Sequence, residues 1–200
     1  TGRPVTRKAG TTETHPFSST QPPLSMKKFL LAPALAALAM FVFGAIYWMS
    51  PFPYKALGRV ADDAAAAAAL GKIFPTTGAY LVPGPFGDEA KIAELMKRGP
   101  IAQVHFVANG MPMMDPLQLA TGYVHEFIIC LLLVLLLEKC APLFKGWTCR
   151  LKFTTMLGLM VALYDYGQVI WWHHSVTWVT VQALYDFLAL VVAGLVLGKM

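Results

Sequence analysis

Residues 176–197 read VTWVTVQALYDFLALVVAGLVL, and their reading decides the fold. A helix of this length is about 33 Å long at 1.5 Å per residue, enough to cross roughly 30 Å of hydrocarbon. Its one charged residue, Asp186, sits near the middle. An ionised side chain at that depth costs about 2.5 to 3.5 kcal/mol on insertion scales, so it belongs on a face turned toward other helices. The sequence therefore describes a membrane helix with a polar inner face rather than a lipid-facing rod.

Working outward, three further apolar stretches of spanning length appear at 26–49, 116–138 and 153–172. Two of them also carry acids in the apolar run: Glu126 beside His125, and Asp165. Composition agrees, with 56% hydrophobic and 14% charged residues and a mean hydropathy of +0.56. An ordinary soluble domain is far more charged. The net charge of +5 does not indicate nucleic acid, because the basic residues form no single patch or basic helix. They cluster at span ends instead. Arg3, Arg7, Lys8, Lys27 and Lys28 precede the first span, Lys139, Lys145, Arg150 and Lys152 lie between spans two and three, and Lys199 follows the fourth. By the positive-inside rule both termini and the 139–152 loop are expected in the cytoplasm, with the 173–175 turn and residues 50–115 outside it.

Residues 1–25 are rich in Thr, Ser and Pro without apolar periodicity, as in a disordered tail. Met26, Lys27 and Lys28 before an apolar run resemble the start of a signal peptide, with Met26 as a possible translation start. The run continues to Met49, longer than the 7 to 15 residues of a typical signal core. The expectation is an uncleaved signal anchor forming span one. Residues 50–115 read as a small α/β insertion, with helices opening at Asp62–Asp63 and Asp88 and short strands at 79–82 and 101–108. With about 66 residues and no cysteine, the insertion has little core of its own and is expected to lean on the spans or on a partner. Cys130, Cys140 and Cys149 form no zinc or redox spacing and are expected as thiols. The fold class that follows is an all-α transmembrane four-helix bundle carrying a small α/β extracytoplasmic insertion, in a bacterial inner membrane.

Candidate functional residues are the intramembrane polar ones: Glu126, His125, Asp165, Asp186, Gln168 and Gln182. Counted along untilted helices from the turn at His174, Asp165 lies about 13 Å deep and Asp186 about 18 Å; Glu126 lies about 15 Å past Pro116. Gln168 and Gln182 share helix faces with the aspartates at i+3 and i−4. Three uses compete for this core: interhelical hydrogen bonding, a site for a proton, cation or polar ligand, and catalysis. His-Glu alone lacks the second histidine of a zinc protease helix, and no nucleotide or hydrolase motif occurs. No catalytic residue is therefore assigned, and the reading leans away from an enzyme. Met111, Met113, Met114 and His105 offer soft ligands that would suit Cu(I). Such residues at a membrane interface are more often packing contacts, so no metal or cofactor is assigned. His125 and Glu126 point about 100° apart, and Glu126 is expected inward because Gly122 and Cys130 share its face.

Gly44, Ala45, Ile46, Tyr47, Trp48 leading to Pro51, then Gly78, Ala79, Tyr80, Leu81, Val82, Pro83, Gly84, the aromatic pair Trp171 and Trp172, and the ending Ala193, Gly194, Leu195, Val196, Leu197 form a further pattern. It resembles a family of small uncharacterised bacterial four-span inner-membrane proteins with no assigned activity. The resemblance implies four spans with an exported insertion after the first. Small residues at Ala32, Ala36, Gly44, and at Gly194 and Gly198 in GxxxG spacing, favour close helix packing within the bundle or against another protein. The functional expectation is a non-enzymatic accessory or partner-binding component with a buried polar core, its partners being the lipid bilayer and another membrane protein or a second copy, with no nucleic acid. The alternative is a transporter coupled to a proton, cation or small polar ligand.

Overall fold

The computed structural model describes residues 26–199, with side chains from residue 29 onward; the tail expected at 1–25 lies outside the described residues. The chain is mostly helical, with a two-stranded sheet. Three helices are long and apolar enough to cross a membrane: α1 (Met26–Met49), apolar from Phe29, α5 (Pro116–Lys139) and α8 (Val176–Leu197). Between α1 and α5 lie α2 (Pro51–Tyr54), α3 (Asp63–Ile73), β1 (Gly78–Val82), α4 (Glu89–Arg98) and β2 (Ala102–Phe106). After α5 come a single 3-10 turn at Ala141–Leu143, then α6 (Trp147–Asp165) and α7 (Gly167–Trp172).

Local chemistry sets the boundaries. Asp115 accepts a hydrogen bond from Leu117 N at 3.0 Å and Pro116 occupies the first helical position, so α5 starts on a cap that needs no amide from Pro116. Asp62 and Asp88 cap α3 and α4 in the same way, at 2.9 Å to Ala65 N and 2.8 Å to Ala90 N. The sheet is antiparallel, with Gly78 opposite Phe106 and Val82 opposite Ala102.

The span expected over 153–172 is not one continuous helix. It is interrupted at Tyr166, next to Gly167, and α6 reaches back to Trp147, so Arg150 and Lys152 are helical rather than part of a loop. With Arg150, Lys152 and Asp165 within it, α6 is less apolar than the other three long helices and is not among those fit to span by length and composition. Gly146, at φ 102°, takes the left-handed backbone that lets the chain turn into α6 from the Lys145 side.

The closest helix pairs are α6 with α8, α1 with α5 and α1 with α8, giving the order α5, α1, α8, α6. The apolar core lies at the end away from the insertion: Ala36, Ala37 and Met40 of α1, Cys130, Val134 and Leu137 of α5, and Ala189, Ala193 and Leu197 of α8. Small residues make the close approaches. A Cβ on Gly194 would stand 2.9 Å from Thr154 Cβ and overlap the Thr154 hydroxyl, and one on Gly198 would meet Trp147 at 2.7 Å. The GxxxG spacing of α8 is thus filled by α6 of the same chain. All three cysteines are free thiols, with Cys130 Sγ donating toward Met40 Sδ at 3.4 Å in the core.

The insertion has one buried large apolar side chain, Phe74, whose ring packs on Tyr80 at 4.6 Å and Phe106 at 5.6 Å. Neither α3 nor α4 buries a residue. The insertion meets the helical part at the α7–α8 turn, where Gln103 Oε1 of β2 lies 3.0 Å from His174 Nε2.

Candidate functional site

The polar face of α8 organises the site. Gln182, Tyr185 and Asp186 follow at helical three- and four-residue intervals and so share one broad face. Asp165 comes to this face from the end of α6, and Gln168 of α7 lines the same cavity as Asp165. Tyr166 Oη lies 2.9 Å from Thr180 Oγ1, tying the interruption to α8.

Asp165, Asp186, Gln168 and Gln182 line one cavity of about 450 Å³, roofed by Gln103, His105 and His174. The Asp165 and Asp186 carboxyls both border this space. Asp165 Oδ2 is buried and has no protein hydrogen-bond partner. This is an arrangement of acids, amides and imidazoles around a half-open cleft, and side chains of these types can exchange protons or hold a small polar or positively charged group.

Glu126 belongs elsewhere. With His125 it lines a second cavity of about 680 Å³ beside α1 and α5, into which Tyr185 of α8 also reaches. Tyr185 Oη donates to Glu126 Oε1 at 3.4 Å, while Glu126 Oε2 is buried without a protein partner. Of the adjacent pair, Glu126 is half-buried and His125 exposed, as their angular separation around the helix requires. The six polar residues expected to form one core are thus divided between two cavities, with α8 as the wall between them.

Tyr185 and Gln103 were not singled out by sequence reasoning. Tyr185 carries a legible signal, since it falls on the Gln182–Ala189 stripe; Gln103 carries none, because β2 alone does not reveal which turn it meets. Tyr185 is held by a cluster of rings, with Phe43 stacked at 5.9 Å, Tyr47 at 5.4 Å and Trp48 at 5.3 Å. Gly44 admits it: a Cβ there would stand 2.8 Å from Tyr185 Oη. Tyr47 Oη donates to Val181 O at 2.8 Å and fixes α1 to α8 just above.

The soft-ligand set is dispersed. Met113 and Met114 line the larger cavity, His105 the smaller, and Met111 lines neither. Among the described residues no group of three or more His, Cys, Asp or Glu is placed to hold a metal ion. No known protein family, curated protein or solved structure matches the chain. The site must be interpreted from its own geometry.

Proposed function

We propose that this chain is a small polytopic protein of a bacterial inner membrane, a four-span bundle with both termini in the cytoplasm and residues 50–115 outside, whose polar core binds a proton, a cation or a small polar ligand without covalent chemistry. The observation that carries the reading is the cavity shared by Asp165, Asp186, Gln168 and Gln182, with Asp165 Oδ2 buried and lacking a protein partner. Side chains that serve only to join helices have their polar atoms paired, because an unmet buried acceptor costs about 1 to 3 kcal/mol. The fourth span would be α6 with α7, its polar side turned to α8 rather than to lipid. Ala36 and Ala37 are fully buried in the core, which supports α1 as a permanent span rather than a removed leader.

The test is thermal unfolding of purified wild type, Asp165→Asn and Asp186→Asn in detergent, from pH 5 to 8 and in sodium, potassium and choline chloride. The wild type is expected to respond to pH or cation, and each variant to stay folded and lose that response. His105 and His174 face the same cavity, so a response that persists unchanged in both variants would assign it to them and remove the carboxylates from the reading. Orientation is checked separately: an alkaline phosphatase fusion at Gly87 should be active.

A second reading, an accessory component that binds a partner protein, is favoured by one observation. The insertion exposes Ile73, Phe86 and Val107 outside the spanning helices. It no longer draws support from the small residues of α8, which are occupied within the chain. A stoichiometric partner that co-purifies with wild type and is lost on Phe86→Ser would establish it.

A further inference from the structure

The larger cavity differs in character from the one between Asp165 and Asp186. Its floor is Glu126, with the buried and unpartnered Oε2, and Asp115 lies at its outer end, eleven residues earlier on the same helix, about 16 Å away. No Lys or Arg lines it; the one basic group is the exposed His125. Apart from the Gln118 amide its walls are aromatic and apolar, with Trp48, Phe41 and Tyr185 together with Met113, Met114 and Leu119. The space is kept open by glycine on both helices. A Cβ on Gly122 would meet only the Phe41 ring, at 3.7 Å, and the absence of one on Gly44 lets Tyr185 reach Glu126.

We propose that this cavity binds an amphiphilic organic cation, its onium centre held between Glu126 and the rings of Trp48 and Tyr185, and its hydrocarbon arms against the apolar wall. The alternatives are excluded by the lining. A hard metal ion requires six or more oxygen ligands close together, and the two carboxylates here are too far apart to share one. An anion meets two acids and no Lys or Arg. A neutral hydrocarbon would leave the buried Glu126 oxygen unmet. An onium ion satisfies each element at once: its charge is diffuse enough to shed water, it is attracted by the faces of aromatic rings, and thioether and leucine side chains accept its arms. The volume of about 680 Å³ suits a ligand of drug size. This inference uses different side chains from the Asp165–Asp186 cavity and stands whether or not that cavity binds anything.

The experiment is equilibrium dialysis of radiolabelled tetraphenylphosphonium against the purified full chain in dodecyl maltoside, with detergent alone as the blank. Wild type should bind it saturably. Glu126→Gln should weaken binding at least tenfold and Trp48→Leu several-fold, whereas His125→Leu, which removes a competing basic group, should not weaken it. Tetraphenylborate has the same shape and the opposite charge, and should bind no more than to detergent alone. Should Glu126→Gln fail to fold, Gly122→Leu fills the cavity without altering the carboxylate and should also abolish binding while gel filtration and circular dichroism stay as in wild type. The proposal is overturned if wild type shows no saturable binding, if tetraphenylborate binds equally, or if folded Glu126→Gln or Gly122→Leu retains binding within twofold. Loss on Asp165→Asn with retention on Glu126→Gln would place the site in the other cavity and overturn it as well.

Discussion

The two ends of α8 treat space in opposite ways. At its C-terminal end Gly194 and Gly198 press against Thr154 and Trp147 so closely that not even a methyl group fits. Along its N-terminal half Gln182, Tyr185 and Asp186 border two cavities of several hundred cubic ångströms. One helix is a tight seam at one end and a partition at the other. Stability should therefore concentrate where the residues are small, and binding where they are polar.

The sharpest way to break this contrast is Gly194→Ala. The new Cβ collides with Thr154, a fully buried, β-branched residue that cannot swing aside and whose hydroxyl already donates to Leu151 O at 2.9 Å. We expect a loss of about 3 kcal/mol, at the upper end for overpacking a core, measured by equilibrium unfolding in mixed micelles. A loss under about 0.5 kcal/mol would mean the α6–α8 seam is not closed as described. Next in size is Tyr47→Phe, which deletes the donor to Val181 O and should cost about 1 kcal/mol by the same assay. An unchanged value would mean that α1 and α8 are fixed at this end by ring packing alone. Gly122→Ala, at the cavity end, should do the reverse of Gly194→Ala. Its Cβ makes only an ordinary contact with the Phe41 ring, at 3.7 Å, and the helix gains an alanine, so stability should hold or rise by up to about 0.8 kcal/mol. His125→Leu, on an exposed position, should change stability by less than about 0.5 kcal/mol, and its unfolding midpoint should overlay that of wild type. If Gly122→Ala proved as damaging as Gly194→Ala, the distinction between the two ends would fail.

The parts of this fold legible in the sequence are those set by neighbours in the chain. The apolar runs of α1, α5 and α8, the Asp-Pro start of α5 and the Asp caps of the insertion helices all come from local chemistry. The start of α6 is not legible, because Arg150 and Lys152 look like loop residues at a membrane edge, whereas the chain turns earlier, at Gly146. The interruption at Tyr166 has only Gly167 to announce it, and a single glycine inside an apolar run does not reveal whether a helix continues.

The candidate site divides along the same line. That Glu126, Asp165 and Asp186 face protein, and that Glu126 rather than His125 turns inward, follows from helical angles. Their separation into two cavities depends on the lateral order α5, α1, α8, α6, which no one helix encodes. Likewise, GxxxG specifies that something packs against α8, and not that the occupant is Thr154 and Trp147 of the same chain.

Tyr185 and Asp186 are consecutive residues, yet each opens into a different cavity. They share one stretch of backbone, closed below by the Gly194 seam and tied above to Tyr47 and Tyr166. A small roll or tilt that moves the tyrosine away from Glu126 must carry the aspartate by a comparable arc relative to Asp165. A substitution that reorients one of these two side chains through the backbone therefore reorients the other.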